Sequence, residues 1–465
     1  MRLWHWCLLA LCAGATRLAH SGILWVEEAY PAAAALQMKH GLLFYRDFFY
    51  DKPPLSALVY RATGITQGVE LRILGALFVV WCAWLMADFA RERWGEAESR
   101  AAAWLTAFFL TFDTPSAVMA LAPDLLFFVP HVAAVWLAWR RQRLASGVLC
   151  GIALLTNAKA VLLIPVCMAF AGGIAWPIPA AAVVLGALPF WVPGYREQAW
   201  EFGRLYASDT FVAAPWREGA LRTGGWLGFH AALAIPAAWA LWRERDWRWG
   251  LWLALSFASA VMGLRFFPRY YFALLPAAVL LAARGLQLLP RAARLASLAL
   301  LLIPAVRFGP RFFTLYSGGD AQWSDTAMNR DSRRVREAFA RLALNHPSAT
   351  GTEETVFVWG YRPDILVYLD RPLGAPFLDS QLLTGVLADR HLTSTHATAP
   401  ELARANRESL TRLRPTLVID GLGRYNPRLA ITEYPELAAW LSASYRPWFS
   451  TDGSVIYRLT SAPAR

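Results

Sequence analysis

The chain has 465 residues, of which 57% are hydrophobic, 14% aromatic and only 17% charged. Soluble proteins carry about 25% charged residues, and the deficit here lies before about residue 307, so the first two thirds read as membrane and the last third as soluble. The formal net charge of +12 does not point to nucleic acid, because the arginines stand in short clusters between apolar runs, as positive-inside topology requires.

In chain order, "MRLWHWCLLALCAGATRLAH" has the basic start and short apolar core of a signal sequence, but the many spans that follow make it a retained signal-anchor. Judged against a span of roughly 20 residues, about eleven apolar segments follow one another. They fall near 4–19, 69–90, 100–114, 118–139, 145–157, 159–174, 177–193, 223–242, 248–265, 269–289 and 294–307. Several are short, and 145–174 reads as one broken hairpin. The clusters Arg2, Arg91/Arg93/Arg100, Arg140/Arg141/Arg143, Arg243/Arg245/Arg248 and Arg284/Arg291/Arg294 alternate in side consistently, which predicts a cytoplasmic N-terminus. An odd number of spans then places the C-terminal part outside. The five cysteines, Cys7, Cys12, Cys82, Cys150 and Cys167, lie in or beside apolar segments, with neither metal-ligand spacing nor a disulfide framework.

The same alternation places outside residues 20–68, the turns near Asp113 to Asp124 and Asn157 to Lys159, the loop 194–222 and "RFFPRYY" from Arg265 to Tyr271. Most unusual polar residues therefore collect on one face, and ionisable groups beside spans mark sites. Residues 20–68 predict amphipathic helices lying on the membrane surface, stopped at Pro53-Pro54. From 308 onward, "TVFVWG", "PTLVID" and "SVIYRLT" read as strands, and "PDILVYLDR" and "YPELAAWLSASY" as short helices. The predicted architecture is an α-helical polytopic membrane protein of about eleven spans (1–307) with a small C-terminal α/β extracytoplasmic domain (308–465).

Among the outer polar residues, Glu27 and Glu28 are adjacent and point in different directions. One can act as a general base while the other orients a partner or closes the fold; both could equally be solvated acids at a helix start. Asp124, after Pro123, stands at the start of an apolar segment, where a helix cap is the plain alternative. Of the 45 basic residues only Lys39, Lys52 and Lys159 are lysines. Orientation is left to arginine, so the outer cations Lys52, Lys159, Arg265 and Arg269 suit phosphate oxygens, with snorkelling to headgroups the alternative for Lys52. Carboxylates facing cations at membrane level fit a lipid-phosphate sugar.

Three stretches carry a resemblance. "WVEEAYPAAAALQMKHGLLFYRDFFYDKPPL" resembles an acidic Asp-Glu-x-x-Tyr motif followed by G-x-x-x-Y-x-D-x-x-x-x-KPP; "GVLCGIALLTNAKAVLLIP" resembles a glycine-rich hairpin with a lysine at its outer turn; "RFFPRYYFALLPAAVLLAARG" resembles a late Arg…His-Tyr…Pro segment. These belong to the membrane-embedded C-type glycosyltransferases that use polyprenyl-phosphate sugars, most closely the bacterial relatives of protein mannosyltransferases and of the aminoarabinose transferase acting on lipid A. The resemblance covers essentially the whole chain and is strongest over 25–60. It implies Glu27 as the catalytic acid, Glu28 as its neighbour and Asp124 as the second-loop acid. It implies Tyr30, Tyr45, Asp47, Lys52, Lys159, Arg265, Arg269 and Tyr270 as substrate-binding residues. The sequence departs from the pattern in having Glu for Asp at 27, Arg269 where histidine is common, and a displaced Lys159.

The resemblance implies transfer of a sugar from a polyprenyl-phosphate donor to a protein, lipid A or glycan hydroxyl at the outer face of a bacterial inner membrane; no cofactor is expected and no metal is demanded, since a lipid-phosphate leaving group carries less charge than a nucleotide diphosphate and cationic side chains can suffice. The alternative is a non-catalytic transporter, flippase or binding protein for lipid-linked sugars. Internal repeats and midplane broken helices, which a transporter would carry, are not evident. The enzyme reading requires Glu27, Lys52, Asp124 and Arg269 to line one cavity.

Overall fold

The computed structural model describes residues 1–208, 214–320, 322–345, 354–387, 389 and 396–460. Each of the eleven apolar segments falls on one or more helices. By length and composition, three helices among the described residues can cross a membrane: Gly68–Arg93, Pro268–Leu288 and Arg291–Tyr316. Two pairs raise this to five if each is one span: Pro177–Trp191 with Arg196–Ser208, bent by 113°, and Pro215–Phe229 with Ala231–Glu244, bent by 91°. Three more apolar helices, Pro123–Trp139, Arg143–Thr156 and Ala158–Ala171, are shorter. At about 1.5 Å per residue a 14-residue helix reaches only about 21 Å, short of a hydrocarbon core of about 30 Å. The expected eleven spans thus meet three to five full-length ones, because polar and helix-ending residues interrupt the rest. At one such break, between Arg143–Thr156 and the 3₁₀ turn Ala158–Leu162, the Asn157 side chain accepts from the Lys159 amide at 3.0 Å.

The first outer loop differs from expectation. Helix Val26–Lys39 does not lie on a surface: eleven of its fourteen residues are buried. It packs against helix Leu55–Thr63 on one side and helix Pro363–Leu369 of the C-terminal part on the other. The run Ala32–Ala35 allows this, since small residues let neighbours approach from every side and an all-round apolar helix belongs inside. Leu55–Thr63 keeps the amphipathic character expected, burying Ser56, Ala57 and Tyr60 and exposing Leu58.

The C-terminal part holds a four-stranded sheet: β1 (Val356–Trp359), β2 (Leu417–Asp420), β3 (Tyr445–Ser450) and β4 (Val455–Leu459), in the order β1-β2-β4-β3. β1 and β2 are parallel; β4 is antiparallel to β2 and β3. β3 was not legible as a strand; Pro447 confines it to an edge, where its register slips between Pro447 and Phe449. Alternate residues divide the two faces. Val356, Val358, Leu417 and Ile419 join the core that includes Ala29, Tyr30 and Ala33, while Phe357, Trp359 and Val418 pack with Leu437, Trp440 and Leu441.

Hydrogen bonds stitch the two parts together. Gln37 Nε2 donates to the Arg371 carbonyl at 3.0 Å and its Oε1 accepts from the Leu373 amide at 2.9 Å. Asn329 Oδ1 accepts from the Leu24 amide at 2.9 Å, and its Nδ2 donates to the Leu24 carbonyl at 2.7 Å. The expected boundary at 307/308 falls inside helix Leu302–Tyr316.

The helices Ala231–Glu244 and Leu275–Leu288 cross where Gly285 meets Pro236, and a Cβ on Gly285 would collide with the Pro236 carbonyl oxygen. Backbone cannot give way as a side-chain end can. Gly285→Ala is therefore expected to lower stability by about 1–3 kcal/mol, the usual range for overpacking, read as a lower melting temperature in detergent.

Candidate active site

The site is built from the first turn of helix Val26–Lys39. Glu27 and Glu28 occupy consecutive positions there and so leave the helix about 100° apart. Each meets an arginine, in very different surroundings.

Glu28 is fully buried. Its Oε1 accepts from the Trp25 amide at 3.0 Å and from Arg72, and its Oε2 accepts from the Leu121 amide at 3.0 Å. Arg72 also donates to the Met119 carbonyl at 2.7 Å, and Arg17 reaches the Met119 and Val118 carbonyls at 3.1 and 2.5 Å. Glu28 thus ties the helix start to the loop before Leu121. It does not line the cavity described next, in contrast to its expected place among the catalytic acids, because its lone pairs are spent on that tie.

Glu27 faces the other way, into a cavity of about 220 Å³, where it pairs with Arg269. Asp51 and Lys52 from the Lys-Pro-Pro stretch line the same cavity, as do Thr114, Tyr206 and Pro268. The C-terminal part contributes Asp325, Tyr361 and Gln381. Lys52 Nζ lies 2.7 Å from Asp51 Oδ2. Burial disfavours the Lys52 ammonium, but the Asp51 carboxylate beside it prevails and raises its pKa.

Asp124 lines an adjoining small cavity of about 30 Å³ with Asn157, Lys159, Tyr270 and apolar side chains including Phe127, Leu163 and Val166. Asn157 Nδ2 donates to Asp124 Oδ1 at 3.2 Å, and Lys159 Nζ stands 3.8 Å from the centre of the Tyr270 ring. Arg269 lines both cavities. The expected quartet therefore divides: Glu27, Lys52 and Arg269 share one cavity, and Asp124 joins them through Arg269. A groove of about 270 Å³ shares Thr114 and Pro268 with the first cavity and is lined also by Asp113, Arg222, Trp226, His230 and Arg307.

Four expected substrate-binding residues stand behind the walls. Tyr30 is buried, stacked on Tyr50 at 5.2 Å, with its hydroxyl accepting from the Asp51 amide at 3.4 Å. The buried Tyr45 donates to the Lys52 carbonyl at 2.5 Å and so fixes the lysine's backbone. Asp47 accepts from the Leu43 amide at 2.8 Å and pairs with Arg46, closing its own turn away from the cavity. The buried Arg265 holds the Tyr206 carbonyl and lies over the Tyr206 ring at 3.5 Å. Tyr30, Tyr45 and Arg265 support cavity residues; Asp47 shapes the loop.

Sequence reasoning missed Asp51, Tyr206, Asp325, Tyr361 and Gln381. A signal existed for two of them. Asp51 adjoins Lys52, and Tyr361 follows the carboxyl end of β1, where ligands of parallel strands gather. Behind Gln381 lies Asp379, which accepts from the Gln381 amide at 2.8 Å. Burial pushes the Asp379 carboxyl up to about 7, with Asp389 and Asp51 adding to the rise against the Gln381 hydrogen bonds.

No family model matches the chain, and no curated protein does. Solved structures do. ArnT from Cupriavidus metallidurans in the apo state is similar over 98% of this chain and 97% of its own, at 15% identity and a TM-score of 0.60. The same protein bound to undecaprenyl phosphate gives 14% identity and a TM-score of 0.59, over 98% of each chain. An oligosaccharyltransferase from Archaeoglobus fulgidus covers 99% of this chain and 75% of its own, at 13% identity and a TM-score of 0.49. The chain shares the fold of ArnT over 98% of its length, and the resemblance to membrane-embedded glycosyltransferases is borne out at the level of the fold.

Two outcomes are expected here. Leaving a buried charge without its partner costs roughly 3–5 kcal/mol, so Arg72→Met is expected to unfold or strongly destabilise the chain, measured by yield of monodisperse protein and melting temperature. Asp379 acts through pH. Its folded pKa lies above its unfolded one, so ionisation penalises the folded state, increasingly between about pH 4 and pH 7 and fully above. Asp379→Asn is expected to match the parent near pH 4 and to gain stability over it on the order of 4 kcal/mol by pH 8, read from melting temperatures across that range.

Proposed function

We propose that the chain is a glycosyltransferase that moves a sugar from a polyprenyl-phosphate donor to a hydroxyl acceptor at the outer face of a bacterial inner membrane. The observation that carries this reading is the one cavity lined by Glu27, Lys52 and Arg269. It is supported by the shared fold of ArnT, which has been solved with undecaprenyl phosphate bound.

The chemistry follows from those groups. Lys52 and Arg269 hold the donor phosphate, the arginine through its fork. Glu27 takes the proton of the acceptor hydroxyl as its oxygen attacks the anomeric carbon. The bond from that carbon to the phosphate oxygen breaks, and the polyprenyl phosphate leaves with the electron pair. One displacement inverts the anomeric configuration. Charge grows on the phosphate as it leaves, so the two cations bind the transition state more strongly than the ground state. Tyr361 and Gln381 stand where the sugar lies, which gives the C-terminal part a share in choosing it. The acceptor arrives through the groove past Thr114.

The test is transfer from a panel of radiolabelled polyprenyl-phosphate sugars into membranes carrying the protein, compared with Glu27→Gln. Transfer by the parent and a loss of about 100- to 10,000-fold in the variant, with donor binding kept, is the expected result. Donor bound but transferred by neither protein would favour a transporter or flippase of lipid-linked sugars.

A further inference from the structure

Two glutamates in one helical turn each pair with an arginine, and the contrast between the pairs is informative. Glu28 and Arg72 are sealed, with side chains 0% and 2% exposed; Glu27 and Arg269 are 15% and 23% exposed and face the central cavity. A sealed pair is a strut. A pair open to a ligand cavity can exchange partners.

Resting on the donor-phosphate reading above, we propose that Arg269 is a ligand-operated latch on Glu27: the arginine masks the carboxylate until the phosphate of the lipid donor takes the guanidinium away. A carboxylate beside a guanidinium holds its charge and resists taking a proton. In the resting cavity Glu27 is therefore a poor base. A phosphate offers the same fork more oxygens. It enters beside Lys52, whose own partner Asp51 is 2.7 Å away, so both cavity cations begin paired with resident acids. Arg269 has somewhere to go, since it lines the adjoining cavity as well and its guanidinium carbon lies 5.5 Å from the centre of the Tyr270 ring.

The latch orders the reaction. Donor binds first and unmasks the base; the acceptor hydroxyl then meets a competent carboxylate. Water reaching the cavity without donor meets a masked one. Arg269 is in this respect a positioning residue as well as a phosphate ligand.

The test is a binding cycle that needs no turnover. Affinity for undecaprenyl phosphate is measured with the full chain in lipid nanodiscs for the parent, Glu27→Gln, Arg269→Gln and the double variant. If Glu27 competes with phosphate for Arg269, Glu27→Gln binds about 10-fold tighter than the parent, and that gain disappears in the Arg269→Gln background. A gain that persists without Arg269 reflects simple charge repulsion and overturns the latch, as does no gain at all. If Arg269→Gln does not fold, Arg269→Lys closes the cycle: it keeps the charge without the fork, and an undiminished gain overturns the proposal. If no form, the parent included, binds undecaprenyl phosphate, the donor reading itself falls. Binding by the parent that is indifferent to Glu27 sinks the latch alone.

Discussion

The interaction on which the rest depends is the buried pair of Glu28 and Arg72, joined by Arg17. Charges removed from water are tolerated when paired and hydrogen-bonded, and here most partners are backbone: the amides of Trp25 and Leu121 on the acid, the carbonyls of Val118 and Met119 on the arginines, with Arg72 Nε left unbonded. Such a cluster need not add net stability, since an apolar replacement often does as well. What it fixes is register. Trp25 opens the helix that carries Glu27, and the 118–121 stretch lies between Thr114 and Asp124. One charged knot therefore sets the first acid, the cavity wall and the second acid relative to one another.

From that knot outward, the cavity lies at a seam. Helix Val26–Lys39 is sandwiched between helix Leu55–Thr63 and the C-terminal part, and its small residues let both approach. The C-terminal sheet uses one face for its own core and the other for the core it shares with that helix. A strand buried on both faces reads as an unbroken apolar run, as "VFVW" does. The same run is consistent with a free-standing domain, which is why composition alone suggested a separable unit.

What was legible follows from this. The apolar segments, the strands β1, β2 and β4 and the stretch holding Glu27 and Lys52 are local signals. The division of labour between Glu27 and Glu28 is not local: adjacent helical acids leave the axis about 100° apart, and only Arg72 and Arg269, far along the chain, decide which is sealed. Asp47 and Tyr45 shared a spacing with cavity residues, yet the turn they build directs Lys52 inward and themselves away. Gln381 was hidden because it reaches the site through the tertiary seam. The helix Val26–Lys39 was misread as a surface helix because alanine is weakly apolar in any pattern, whereas its size is what matters in a crowded interior.

The interrupted spans complete the account. Each break frees backbone groups that an apolar surrounding cannot satisfy, so breaks are tolerated where protein or a cavity receives them. Here Asn157 caps the turn that carries Lys159 and also donates to Asp124, so one break positions the lysine and holds the second acid. The central cavity obeys the same economy of charge. Among the described residues its lining cations, Lys52 and Arg269, are paired with Asp51 and Glu27 before any ligand arrives, which spares the cost of an unpaired ion in a partly buried cavity. Under the proposed latch, a phosphate enters such a site by replacing a carboxylate at an existing cation.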